Sequence, residues 1–407
     1  MTIARAESVA ESPYAWLRLA ASLAIMAVSG VGMYAVAVAL PVIQAEFGID
    51  RSDASLPYTA TMIGFGLGGI LMGRLSDRFG VMVPVLLGAA GLGLGFVAAG
   101  NATSLWQFVL AQGLLIGLLG TSAGFAPLVA DTSLWFTRRR GIAVAICASG
   151  NYLAGAAWPT LLQHYFDTAG WRATFTGIGI FCFATILPIA FVLRRRPPAL
   201  QALEGGSHET KSIDVSQRAL LLLLCIAGVA CCVAMSMPQV HIVAYCSDLG
   251  FPAARGAEML SLMLGFGIVS RLASGWICDR IGGLRTLLLG SALQGVALLL
   301  FLPFNGLVSL YVVSAMFGLF QGGIVPSYAI IVREYFPPSA AGANVGLIIM
   351  CTLLGMALGG WMSGAVFDLS GSYRAAFLNG VAWNALNLTI AAWLLRRSLG
   401  GRRLLAA

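Results

Sequence analysis

The sequence predicts an all-α membrane protein of twelve transmembrane helices in two pseudo-symmetric bundles of six. Three observations carry this. Of 407 residues, 59% are hydrophobic and 10% charged, with mean hydropathy +0.88; a soluble domain carries about 25% charged residues. The apolar runs last ~20 residues or more, enough for a helix to cross a bilayer, whereas barrel strands alternate over about ten. Finally, the sequence repeats itself. GRLSDRFG at 73–80 returns as GWICDRIG at 275–282, and GWRATF at 170–175 as SYRAAF at 372–377, both 202 residues later. Glu46 and Gly48 answer Asp248 and Gly250 at the same offset, and Phe166-Asp167 answers Phe367-Asp368 at 201. A duplicated six-helix unit is expected to carry a transport site between its halves.

The elements follow in order. A first run at 16–44 begins after Glu7 and Glu11 and is too long for a signal peptide. The second, 55–74, closes in GRLSDRFG, and the third is 81–100. The fourth, 105–135, holds Phe125 and ends near Asp131; the fifth, 139–163, follows three arginines and holds Asn151. GWRATF opens the sixth, 171–193. Residues 194–217 mix Pro, Gly, Ser and charges, the composition of a solvated linker. They divide a first domain, 1–193, from a second, 218–407. The seventh run, 218–247, carries Pro238 and His241, and the eighth, 257–279, carries Arg271. The ninth is 284–303; the tenth, 307–333, holds Gln321 and Tyr328; the eleventh, 340–367, has no charge in GANVGLIIMCTLLGMALGGWMSG; SYRAAF opens the twelfth, 374–395. The 50 glycines suit helices that approach closely.

Basic residues set the orientation. With the N-terminus inside, 19 of the 24 Lys and Arg fall in cytoplasmic loops and tails and 4 in external loops. This places both termini in the cytoplasm of a cell (inner) membrane protein. The remaining one is Arg271, in GFGIVSRLASGWICDR. The net charge of +8 is spread over helix ends, so no nucleic-acid partner is expected. The eight cysteines lie in apolar segments without a Cys-x-x-Cys pair, which excludes a metal or disulfide framework. GFGLGG at 64–69 fits a dinucleotide fingerprint but follows no strand, and GTSAG at 120–124 fits a hydrolase elbow but lies within a helix. Without a nucleophile–base or metal constellation, an enzyme is not expected, and no cofactor is implied.

The doubled G-x-[LI]-x-D-R-x-G resembles the signature loop of the major facilitator superfamily, and with the twelve runs the resemblance spans the chain. It implies that Asp77 and Arg78, with Asp131 as ionic partner, and Asp279 and Arg280 in the second copy form a cytoplasmic gate. VMV follows Gly80 where the family usually has basic residues, which weakens that gate. LWFTRRRGIAVAICASGNYLAG at 134–155, together with Arg271, is similar to the monocarboxylate transporter and oxalate–formate antiporter branch. There the arginine of the eighth helix binds the substrate carboxylate, and a histidine in the seventh faces the same cavity, which implies roles for Arg271 and His241. The eleventh helix lacks the second cation of the oxalate–formate type, and Gly267 stands where some relatives have Asp.

Arg271 keeps its charge at any accessible pH, so its placement in hydrocarbon points to function. No acidic residue lies mid-helix to meet it. An incoming carboxylate could pair with its planar fork. Leu264, Gly267, Ser274, Gly275 and Cys278 share its face, mostly small residues that leave room. His241 is expected to bind substrate and carry a proton, and Tyr34, Phe125, Asn151, Gln321 and Tyr328 to line the cavity. The function expected is secondary transport of small organic anions, chiefly monocarboxylates, by a monomer working by alternating access and coupled to protons. A proton-driven exporter of hydrophobic solutes is the first rival and a non-transporting sensor another.

Overall fold

The computed structural model describes residues 11–136, 139–195 and 213–405. Arg138, His208 and most of the expected linker lie outside them. Among the described residues, eleven helices are long and apolar enough to cross a membrane: Pro13–Phe47, Arg51–Phe79, Met82–Gly100, Leu105–Trp135, Gly141–Ala169, Trp171–Leu193, Gln217–Asp248, Ala253–Ile281, Gly283–Leu300, Leu307–Tyr335 and Gly342–Ser370. The twelfth expected segment lies within the helix Tyr373–Leu405. Its Asn379, Asn384 and Asn387 dilute its hydropathy. Two of them are buried, where Asn384 donates to the Ser291 carbonyl and Asn387 to the Ser291 hydroxyl.

The chain divides into two compact units, Met1–Ile49 with Ala54–Leu203, and Asp50–Asp53 with Glu204–Ala407. Residues 50–53 therefore belong with the second unit, although the helix they open continues through the first.

In the first unit, glycines set the spacing. Gly64 and Gly68 bring the helix Arg51–Phe79 onto the backbone of Gly113 and Leu118, and Gly88, Gly91 and Gly95 bring Met82–Gly100 onto residues 115–123. Gly64 and Gly68 belong to the would-be dinucleotide motif; helix packing accounts for them. The segment receiving these contacts, Ala111–Thr121, is π-helical. Such stretches are rare and favour functional positions.

The fourth helix of each unit is broken where the sequence reading expects one run. Leu105–Thr121 gives way at Gly124-Phe125 to Ala126–Trp135, and Leu307–Gln321 gives way at Gly322-Gly323 to Ile324–Tyr335. Pro127 and Pro326 lie in the first turn of the second piece, where a missing N–H costs nothing. Irregular backbone at membrane depth persists where it is buried in protein or lines a cavity. Each break lies at a residue singled out from the sequence: Phe125 is within the first, and Gln321 immediately precedes the second.

Candidate functional site

Arg271 lies in the helix Ala253–Ile281 and is half-buried. The small residues beside it serve packing more than ligand room. A Cβ built on Gly322 would stand 2.5 Å from the Gly267 carbonyl oxygen and 2.8 Å from the Ser270 Cβ. One on Gly323 would collide with Ser274, and one on Gly318 with the Met263 carbonyl. Gly267 and Ser274 thus belong to a seam that fixes the arginine helix against the broken one. Gly275 is open, with nothing within 4 Å of a built Cβ.

Gln321 ends the first piece of that broken helix, level with the Gly267–Ser270 turn, and is 1% exposed. Its Oε1 accepts from Gln239 Nε2 at 2.9 Å, while its own Nε2 is buried with no hydrogen-bond partner among the described residues. Gln239 follows Pro238 inside the helix Gln217–Asp248. An unsatisfied buried donor costs roughly 1–3 kcal/mol.

His241, two residues beyond Gln239, is fully buried. Its Nε2 lies 2.8 Å from the Gly360 carbonyl and its Nδ1 3.2 Å from the Tyr373 hydroxyl. A carbonyl can only accept, so Nε2 carries the proton and Nδ1 accepts from Tyr373. The Tyr373 oxygen in turn accepts from Arg51 Nη1 at 2.8 Å. Arg51 Nη2 reaches Asp248 at 3.1 Å, and the Phe367 ring lies 4.8 Å below the guanidinium. The Asp368 carboxylate accepts from the backbone N–H of Arg51 at 2.9 Å and of Ser52 at 2.7 Å. It therefore caps the positive end of the helix Arg51–Phe79. His241 is thus the inner end of a polar chain running through Tyr373 and Arg51 to Asp248, where the sequence reading expects it beside the substrate.

Sequence reasoning missed Arg51, Asp248, Asp368 and Tyr373, counting Arg51 only as an external charge. One signal was available: 202 residues after Arg51 stands Ala253, so this arginine has no counterpart in the repeat.

The other expected residues scatter. Tyr328 is fully buried and donates to Asn387 Oδ1 at 3.3 Å within the polar cluster around Ser291. Tyr34 is buried in the helix Val31–Phe47. Asn151 is half-buried against Gly30, and Phe125 packs edge-on against Phe65 at 6.0 Å. Asp77, Arg78, Asp279 and Arg280 are exposed; Arg78 lies over Phe79 and Arg280 over Trp276. Asp131 departs from its expected partner. Instead of Arg78 it meets Arg18 at 2.6 Å, in a pair 6% and 2% exposed. Arg18 also lies 4.5 Å over Trp135 and donates to the Arg195 carbonyl at 3.0 Å. The cause is register: Arg18 falls inside the helix that begins at Pro13, where its charge can be buried only against a carboxylate. All eight cysteines are free thiols.

Comparison with known proteins places this geometry in a lineage. The family model "Major Facilitator Superfamily" matches residues 22–313 and 259–405. Monocarboxylate transporter 13 of Rattus norvegicus is 28% identical over 333 residues, 80% of this chain and 75% of that protein. Monocarboxylate transporter 11 of Mus musculus is 27% identical over 90% of this chain and 84% of that protein. Among solved structures, an inward-facing bacterial homologue of the human lysosomal transporter Spinster superposes with a TM-score of 0.72 at 14% identity, over 95% of this chain and 98% of that one. A nucleoside transporter gives 0.72 at 13% identity, over 94% and 99%. These two show the fold. The chain belongs to the major facilitator superfamily and is a multi-pass membrane transporter, not an enzyme.

Proposed function

We propose that this transporter moves small monocarboxylates by alternating access, one proton with each anion, with both termini in the cytoplasm and the protein in the cell membrane. The observation that carries the reading is Arg271, a permanent cation half-buried inside a membrane helix and held in place by a seam of small residues. A carboxylate pairs with a guanidinium through two parallel charge-assisted hydrogen bonds, which suits an anion that must bind and then leave. The likeness to proteins named monocarboxylate transporters supports the same class. With one cation, a dicarboxylate leaves a charge to desolvate without a partner, so monoacids compete better. Gln321 serves as a second, neutral contact, because its buried amide donor has no partner among the described residues. His241 carries the proton. Asp77, Arg78, Asp279 and Arg280 work at the cytoplasmic end.

The test is uptake into proteoliposomes. Arg271→Ala should abolish carboxylate uptake while the purified protein keeps its helicity and melting temperature, and Arg271→Lys should bind at least tenfold more weakly because the ammonium lacks the fork. Wild-type uptake by a well-folded Arg271→Ala protein would refute the assignment.

A further inference from the structure

The two units treat one repeated ion pair differently. In the first, Glu46 closes the helix Val31–Phe47, and Trp171-Arg172 open the helix Trp171–Ala190. Arg172 Nη2 meets Glu46 at 2.6 Å, and the Trp171 indole donates to the same carboxylate. The repeat places Asp248, Tyr373 and Arg374 at the matching positions of the second unit, each 202 residues on. There the pairing is not made. Asp248 is held by Arg51, and Tyr373 turns its hydroxyl to Arg51 and His241. Arg374 is exposed and makes no ion pair among the described residues. Both Asp248 carboxylate oxygens lie 3.1 Å from Arg51 Nη2, and 35% of the side chain remains exposed, so the carboxylate is reachable from solvent.

We propose that Asp248 has two alternative cationic partners and that Arg374 takes it over when Arg51 leaves. The released state of the second unit then reproduces what the first unit displays. Asp248 pairs with Arg374, and Tyr373 is free to donate to the same carboxylate, as Arg172 and Trp171 do with Glu46. Without a substitute, withdrawing Arg51 would strand Asp248 and bias residues 50–53 towards staying docked. With Arg374 waiting, one ion pair is exchanged for another and the two states lie closer in free energy. An element whose equilibrium must be crossed in every cycle needs such balance, since a switch works only when neither state dominates too far. The repeat supplies the geometry for one state, and Arg51, the residue without a counterpart, supplies the other.

The amides of Arg51 and Ser52 report release directly, because Asp368 protects them in the docked state. Hydrogen–deuterium exchange of this segment is measured in the full-length protein in nanodiscs. A pair between exposed groups has modest strength, so Arg374→Ala should slow exchange at 51–52 roughly 2- to 5-fold, and Arg374→Lys should stay near wild type. In an Asp248→Asn background, Arg374→Ala should have no further effect. Asp248→Ser provides the same background should the asparagine variant fail to purify. Two results would overturn the proposal. Exchange unaffected by Arg374→Ala means Arg374 is not a partner in the released state. Equal slowing in both backgrounds means Arg374 acts only by repelling Arg51.

Discussion

Adding one methyl group at Gly322 should damage transport without touching a charge. The Gly322 Cβ would stand 2.5 Å from the Gly267 carbonyl oxygen, 2.8 Å from the Ser270 Cβ and 3.0 Å from its Oγ. Ordinary carbon contacts need 3.5–4.0 Å, so the two helices must part by about an ångström along this seam. The Gly267 oxygen is backbone and cannot turn aside, so the displacement passes to the helix one turn before Arg271. Overpacking of this kind costs about 1–3 kcal/mol. In a unit of about 200 residues that is a fall of roughly 2–4 °C in melting temperature per kcal/mol. The functional cost should exceed it, since a site displaced by about 1 Å can lose on the order of 100-fold in rate. Gly275→Ala is the control, because its methyl group meets nothing within 4 Å although it lies one turn past Arg271. The assay pairs thermal unfolding of purified protein with initial uptake in proteoliposomes. Gly322→Ala should lose several degrees and most uptake, and Gly275→Ala neither. Wild-type uptake by Gly322→Ala would refute the idea that this seam positions Arg271.

Asp131→Asn leaves Arg18 buried without a counter-charge and should destabilise the first unit by about 3–5 kcal/mol, read as a lower melting temperature; the double replacement Arg18→Met with Asp131→Leu should recover most of that, and a neutral single variant would return Asp131 to a gating role. Tyr373→Phe removes the proton donor to His241 Nδ1 and the acceptor of Arg51, so exchange at residues 51–52 should rise about 5- to 10-fold, the equivalent of one buried hydrogen bond; unchanged exchange would show that Asp368 and Asp248 hold this segment without Tyr373. His241→Gln should flatten the pH dependence of uptake while substrate-for-substrate exchange persists, and an unaltered pH profile would assign the proton to another group. Gln321→Leu should weaken carboxylate binding less than Arg271→Lys does, because it removes a neutral contact; a loss as large as that of Arg271→Ala would make Gln321 a primary binding group.

How far the sequence reaches depends on the range of the interaction involved. The membrane helices were legible because each is a local property, an apolar run of fixed length. The twofold organisation was legible because repeats can be aligned without any structure. Arg271 stood out because charge inside a helix is costly whatever surrounds it. The breaks at Gly124-Phe125 and Gly322-Gly323 were written locally too, in a glycine followed within a few residues by Pro127 or Pro326, yet apolar composition runs through them and hides them. Pairings were not legible. Arg18 and Asp131 are 113 residues apart and Arg51 and Asp248 are 197 apart. Each of these charges lies near a helix end, where a solvated reading is equally natural.

The repeat could have shown more than organisation. Where two halves share a residue, as Glu46 and Asp248 share a carboxylate, symmetry alone assigns the partners, and Arg374 would be given to Asp248. The structure gives Asp248 to Arg51 instead. Charges with no counterpart in the other half are therefore the informative ones: Arg51 opposite Ala253, and Arg271 opposite Gly69 at the same offset. A duplicated fold begins with two equivalent halves, and a ligand or a switch that acts on one half must be written as a departure from that equivalence. Arg271 is such a departure inside a membrane helix, where a carboxylate can meet it. Arg51 is such a departure at a helix start, where the first three residues of that helix, 51–53, group with the unit that holds His241. The two arginines thus mark separate tasks, binding and conformational exchange. Substitutions at Arg51 should consequently change rates and the exchange of residues 51–52 while leaving equilibrium affinity for the carboxylate at Arg271 within about twofold, a shift of some 0.4 kcal/mol. Loss of carboxylate affinity in Arg51→Ala as deep as in Arg271→Ala would merge the two tasks into one site.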